Sequence, residues 1–303
     1  MTDCRRPVCE TACAAAPARP IGVPQQVFRL AALLLALGAG ALLLALVTAL
    51  PGYRRRRRGA WALQQMSRWV LRSLGIRRTV HGAPRSGPSL VVGNHVSWLD
   101  ILVLGGCAPM LMVAKSDVRG WPLVGPFAVR VGSIFLDRNR LRTLPDTVAE
   151  MTSALRSGMR VQVFPEGTTR CGGAVGEFSR AAFQAAIAAA VVVSPVTLRY
   201  TDDQQAPTTT PAFVGTESLL DSFRRVVAAP RIEVTVRWLA PIPAIAGTGR
   251  DHLDRATVAR LAQRAVAARL GIPVVSRTGD NSGVVVAPTA DLSSRWSRPV
   301  GPR

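Results

Sequence analysis

The longest apolar run, Leu30 to Leu50, reads LAALLLALGAGALLLALVTAL, 21 residues without a charge. That is close to the roughly 20 residues a helix needs to cross the hydrocarbon layer. The run is too long for the core of a cleavable signal and is followed at once by Arg54 to Arg58, a stop-transfer pattern. It predicts an uncleaved anchor over residues 29–51, with everything after the arginines on the cytoplasmic side of the cell membrane. Gly38 and Gly40 leave open a bent, monotopic hairpin in place of a single pass. Within residues 52–78 the pattern changes: Leu63, Met66, Trp69, Val70 and Leu74 recur at helical spacing, with Gln64, Gln65, Arg68 and Arg72 mostly opposite. Such a helix fits either the headgroup layer, behind the basic run, or an apolar face of the following domain.

Beyond about Thr79 the period shortens. Six apolar runs read as strands: SLVVGN, MLMVAK, SIFLD, RVQVFPEG, VVVSPVTLRY and RIEVTVRWL. Between and after them, helical patterns fall near 98–104, 122–131, 144–156, 178–190 and 253–270. The alternation predicts an α/β domain over 79–275, a mixed, largely parallel sheet flanked by helices. The Ala, Pro and Cys of residues 1–28 and the Gly, Ser, Pro and Arg of 276–303 read as disordered tails.

Composition narrows the partners. Lys and Arg total 38 against 18 Asp and Glu, a net charge of +20, which favours an anionic membrane, phosphorylated small molecules or nucleic acid. Scattered arginines, 5% aromatic residues and no recognisable nucleic-acid motif argue against the last. The five cysteines form no CxxC pair and leave one over in any pairing. Neither a disulfide framework nor a metal site is expected from such spacings.

In open α/β sheets, sites sit where strands end and helices begin. The polar clusters lie at such exits: His95 and Asp100 in VVGNHVSWLD, Asp137 and Arg138 after SIFL, Glu166 to Arg170 after RVQVF. A histidine moves a proton near neutral pH, and a carboxylate fixes its tautomer. On one continuous helix positions five apart differ by about 140° and do not face each other. A turn at Asn94 and His95 leading into a helix removes that obstacle. Ser97 and Cys171 are conceivable nucleophiles, but neither lies in a G-x-S-x-G elbow.

Four blocks in order carry a resemblance: NHVSWLD; GSIFLDRNR, preceded by AKSDVRGWPLVG; FPEGTTR; and VSPVTLRY. Over roughly Val80 to Tyr200 the chain resembles the 1-acylglycerol-3-phosphate acyltransferases of the glycerolipid acyltransferase superfamily. The resemblance implies transfer of a fatty acyl chain from acyl-CoA or acyl-carrier protein to a lysophospholipid hydroxyl, without a cofactor or metal. It gives His95 the role of general base, and Asp100 that of orienting its imidazole. Arg138 then pairs with the acceptor's anionic head, Glu166, Gly167, Thr168 and Arg170 shape the acceptor site, and Pro195 lies along the acyl-donor path. One departure stands in the third block, where the family has Arg directly after FPEGT and this chain has Thr169 before Arg170. The expected acceptor is 1-acyl-sn-glycerol-3-phosphate, with another lysolipid such as lyso-ornithine lipid as the alternative. Lys115 reads as a strand cap. A non-catalytic basic binding protein and a thioester hydrolase are the competing classes.

Overall fold

The structure is a computed structural model that describes residues 9–49, 55–122, 124–137, 140–244 and 254–275. Its elements are α1 (Val23–Ala49), α2 (Arg55–Ser73), β1 (Ile76–His81), β2 (Ser89–Gly93), α3 (Leu99–Cys107), β3 (Leu111–Lys115), α4 (Val124–Val131), β4 (Ile134–Leu136) and α5 (Leu144–Arg156). There follow β5 (Val161–Val163), β6 (Val175–Gly176), α6 (Ala181–Ala188), β7 (Val192–Thr201), α7 (Leu219–Ala228), β8 (Ile232–Trp238), α8 (Arg255–Leu270) and β9 (Val274–Val275).

Seven strands form one sheet in the order β1-β8-β7-β2-β5-β3-β4, and β6 pairs with β9 apart from it. Every pairing is parallel except β7 with β8. β2, at the centre, is buried along its whole length, as a strand covered on both faces must be. Its alternate side chains enter two cores. Val91 joins apolar residues of α1, α2, α3 and α7 on one face, while Leu90 and Val92 join those of α5, α6 and α8 on the other.

All six expected strands and all five expected helices are present, with ends shifted by a few residues. Four elements are additions: β1, α7 and the two-residue strands β6 and β9. β1 carries two arginines and buries only Ile76 fully, so as an edge strand it lacks an apolar run. α7 buries only Ser222, Val226 and Val227, and its start is set by the Ser218 hydroxyl, which accepts from the Asp221 N–H at 3.1 Å.

The N-terminal third departs from expectation. α1 begins at Val23, inside the segment read as a tail, and runs unbroken through Gly38 and Gly40. Residues just before it are tied to the domain, with Ile21 N–H donating to the Ala228 carbonyl at 2.9 Å. α1 buries a stripe of Leu33, Ala36, Gly40, Leu44 and Thr48, mainly against α2, where Gly40 faces Met66. Its other side leaves Phe28, Leu34, Leu35, Leu42 and Leu46 exposed. α2 is no free interfacial helix, because it packs on the domain as well as on α1: Gln64 Nε2 donates to the Cys107 carbonyl at 3.0 Å and Arg68 Nε to that of Gly106 at 2.9 Å. Arg54 and the tail from Ser276 lie outside the described residues.

Candidate active site

The site grows from the C-terminal ends of β2, β5 and β7, which are parallel neighbours and so end at the same edge of the sheet. After β2 the chain turns instead of entering a helix at once. Asn94 holds that turn to β7, its Nδ2 donating to the Leu198 carbonyl and its Oδ1 accepting from the Leu198 N–H, both at 2.9 Å. His95 then reaches Asp100 in the first turn of α3, with Nδ1 2.8 Å from Oδ2.

Asp100 is fully buried and accepts from every side. Its Oδ2 also takes the N–H groups of Val96 at 2.6 Å and Ser97 at 2.9 Å, and its Oδ1 takes the Tyr200 hydroxyl at 2.6 Å. An oxygen already surrounded by donors requires the Nδ1 of His95 to carry its proton, which leaves the lone pair on Nε2. The imidazole stacks on Phe164, ring centroids 3.8 Å apart and planes 1° from parallel. Its side chain keeps 16% of its surface open, enough for a hydroxyl to approach. Burial, and then the Asp100 charge, push the Tyr200 phenol well above its ordinary range, so it stays a donor.

Glu166, on the loop after β5, braces the same turn from the other side. Its Oε1 accepts from the His95 N–H at 2.9 Å, and its Oε2 from the Gly176 N–H at 2.7 Å. A Cβ at Gly176 would stand 2.5 Å from Arg170 Nε and 2.9 Å from Glu166 Oε2, so this close approach requires glycine. Arg170 Nε lies 3.2 Å from Glu166 Oε2, both side chains being almost wholly covered, and the Arg170 N–H donates to the His95 carbonyl at 2.8 Å. Burial pushes the Glu166 carboxyl up to about 7, outweighing the two N–H donors and the guanidinium.

The remaining sequence candidates are placed as follows. Gly167 turns the loop at φ 73°, and Thr168 is exposed beside it. Thr169 donates its hydroxyl to the Phe213 carbonyl. Arg170, expected to help shape the acceptor site, is almost wholly covered and places its Nε against Glu166, four residues before it in the loop. Pro195 is buried within β7 opposite Val92. It is three residues short of Leu198, about 10 Å along the strand from the turn, and is not among the groups bonded to His95. Arg138 lies outside the described residues. Lys115 pairs with Asp117 at the surface. Ser97 is spent on accepting the Leu99 N–H at 3.2 Å, and Cys171 Sγ lies 3.5 Å from that of Cys9. Tyr200 and Phe164 were not singled out in the sequence, and Asn94 was read only as part of the turn. Tyr200 closes the VSPVTLRY block and Phe164 opens FPEGTTR, so block membership was the one available signal.

Fold and site together are those of an α/β enzyme with a histidine and a buried carboxylate at the edge of a mostly parallel sheet. A model of the family described as Acyltransferase matches residues 77–199. The lyso-ornithine lipid O-acyltransferase of Pseudomonas aeruginosa is 36% identical over 213 residues, 67% of this chain and 77% of that protein. The 1-acyl-sn-glycerol-3-phosphate acyltransferase of Neisseria meningitidis is 31% identical over 180 residues, 59% of this chain and 70% of that protein. The crystal structure of the 1-acyl-sn-glycerophosphate acyltransferase PlsC from Thermotoga maritima shares the fold, with a TM-score of 0.59 over 80% of this chain and 94% of that one, at 19% identity. The chain belongs to the acyltransferase family.

Proposed function

We propose that the protein moves a fatty acyl chain from acyl-CoA or acyl-carrier protein to the free hydroxyl of a lysolipid at an anionic membrane surface. The observation that carries the reading is the His95–Asp100 contact at the open edge of the sheet, in a chain whose relatives bear the names of lysolipid acyltransferases. His95 Nε2 removes the proton of the acceptor hydroxyl as its oxygen attacks the thioester carbonyl carbon. The tetrahedral intermediate collapses with loss of the C–S bond, and the imidazolium returns its proton to the departing sulfur. The products are an ester and a free thiol, and no acyl-enzyme forms. Asp100 holds Nδ1–H and offsets the positive charge that His95 gains. Glu166 and Arg170 keep the His95 backbone in place.

The covered Glu166–Arg170 pair supports lyso-ornithine lipid as the acceptor, because the Arg170 guanidinium is held against a carboxylate. Lysophosphatidate is the second reading, favoured by the intact FLDR block with Arg138. Membrane attachment through α1 without crossing fits the contacts at both of its ends. Near one end Arg29 donates to the Val227, Ala229 and Pro230 carbonyls, and near the other Thr48 accepts from Arg130 Nε at 2.9 Å. A helix that spans a bilayer sends its ends to opposite sides; here both ends hold one domain. The exposed leucines of α1 then enter one leaflet, and the arginines at the start of α2, disfavoured there by the helix dipole, meet anionic headgroups.

The deciding experiment offers lyso-ornithine lipid, lysophosphatidate and other lysophospholipids, each with acyl-CoA and acyl-carrier protein, to the purified full chain and follows thiol release and ester formation. Fastest transfer to lyso-ornithine lipid is expected, with none by His95→Ala. Preference for lysophosphatidate overturns the acceptor reading alone; absence of transfer to every acceptor by folded protein overturns the function.

A further inference from the structure

We propose that Cys9, Cys13 and Cys171 form a thiolate site for zinc that clamps the N-terminal segment onto the loop carrying Glu166 and Arg170. The three thiols come from segments 162 residues apart, yet their sulfurs all lie within 4.8 Å of one another. Tetrahedral zinc with Zn–S bonds of about 2.3 Å places its sulfurs about 3.8 Å apart, and Cys9 and Cys171 stand at 3.5 Å. A disulfide would use two of these thiols and leave the convergence of the third without a cause. The donor set is all sulfur, which selects a soft cation over magnesium or calcium.

The placement is built, not incidental. A 3-10 turn at Thr11–Cys13, closed by Cys13 N–H on the Glu10 carbonyl at 2.9 Å, brings Cys13 back beside Cys9. Gly215 admits that turn: a Cβ there would stand 2.6 Å from both the N and the Oγ1 of Thr11. Ala15 N–H donates to Thr209 Oγ1 at 3.1 Å, anchoring the far side. Cys171 is buried, Cys9 and Cys13 half-buried. The Cys171 N–H points at the Cys9 sulfur, 3.4 Å away, where it stabilises a thiolate.

On binding, zinc replaces three thiol protons, which pass to solvent, and a water completes the tetrahedron. Three thiolates on one zinc dication give the centre one net negative charge. Cys4 lies outside the described residues and is not a member of the proposed site. The clamp would steady the loop whose Arg170 N–H holds the His95 carbonyl.

The test uses the full chain purified in detergent without chelator. Elemental analysis is expected to find about one zinc per chain, with three cysteine sulfurs and a water as its ligands. Cobalt added after chelation should give the near-ultraviolet thiolate-to-cobalt band and the visible bands of a tetrahedral site. Cys171→Ser should lose both, and Cys4→Ser and Cys107→Ser should keep them. Zinc returned to the chelated wild type at about 100 times its Kd should raise Tm by about 5 to 10 °C, a reading that needs no variant. A wild type that gives no tetrahedral cobalt spectrum, a spectrum that survives Cys171→Ser, or a chain short by two hydrogens with Cys9 joined to Cys171 would overturn the proposal. None of these readouts depends on acyl transfer, so the site and the enzymatic reading fail separately.

Discussion

Replacing Asp100 with asparagine removes the charge of the buried carboxylate while keeping its shape. In the wild type three donors converge on Oδ2, from Val96, Ser97 and His95, and one hydroxyl meets Oδ1. An asparagine must therefore set its carbonyl oxygen in the Oδ2 position and its amide nitrogen toward Tyr200, whose hydroxyl can rotate to accept. The His95 tautomer survives, and what is lost is the attraction between a carboxylate and the imidazolium that forms during attack. With about 4 Å between the charge centres and an effective dielectric constant of about 20, that attraction is about 4 kcal/mol. The expected fall in kcat is about 10³-fold. It is measured as thiol release at saturating acyl donor and acceptor, beside thermal melting to show that the variant is folded. A variant that keeps more than about a tenth of wild-type kcat, against the 10²-fold or more usual for proton-transfer catalysis, would refute the assignment. A fall that merely tracks the folded fraction would refute it too.

Tyr200→Phe removes a hydrogen bond to a buried carboxylate and should cost about 1.5 to 3 kcal/mol, read as a lower urea midpoint, while Asp100 keeps its three other donors and kcat changes by less than the Asp100→Asn loss. Glu166 gives a pH signature. Its carboxyl stands at about 7 in the fold against 4.5 for the ordinary group, so the folded state holds that proton more tightly than the unfolded chain. Its contribution is fully present below pH 4.5 and is lost as pH rises through about 7. Glu166→Gln should flatten that part of the urea midpoint's pH dependence, an unchanged slope counting against the assignment. In intact cells, tags at both termini should be shielded from an impermeant label, whereas labelling of the N-terminus alone would show that α1 crosses the bilayer.

Much of this protein was legible in one dimension. A period of two or an unbroken apolar run marks a strand, a period near 3.6 marks a helix, and a long uncharged run marks α1, because these signals arise from each segment's own geometry. The His95 and Asp100 pairing was legible too, since both residues sit in one turn five positions apart. Contacts between distant segments were not. Whether Tyr200 reaches Asp100 and whether Asn94 bridges to Leu198 depend on β7 and β2 lying side by side in the sheet, and whether Cys171 meets Cys9 depends on the N-terminal segment packing against Thr209 and Gly215. Apolar runs do not state their neighbours. Arg170 shows the same limit at short range: the sequence places a guanidinium beside the site, but a buried carboxylate within reach offers it a better partner than water, and the fold turns it inward. The apolar run of α1 was likewise plain, but that both its ends fasten to one domain, through Arg29 and Thr48, is a property of the folded chain alone.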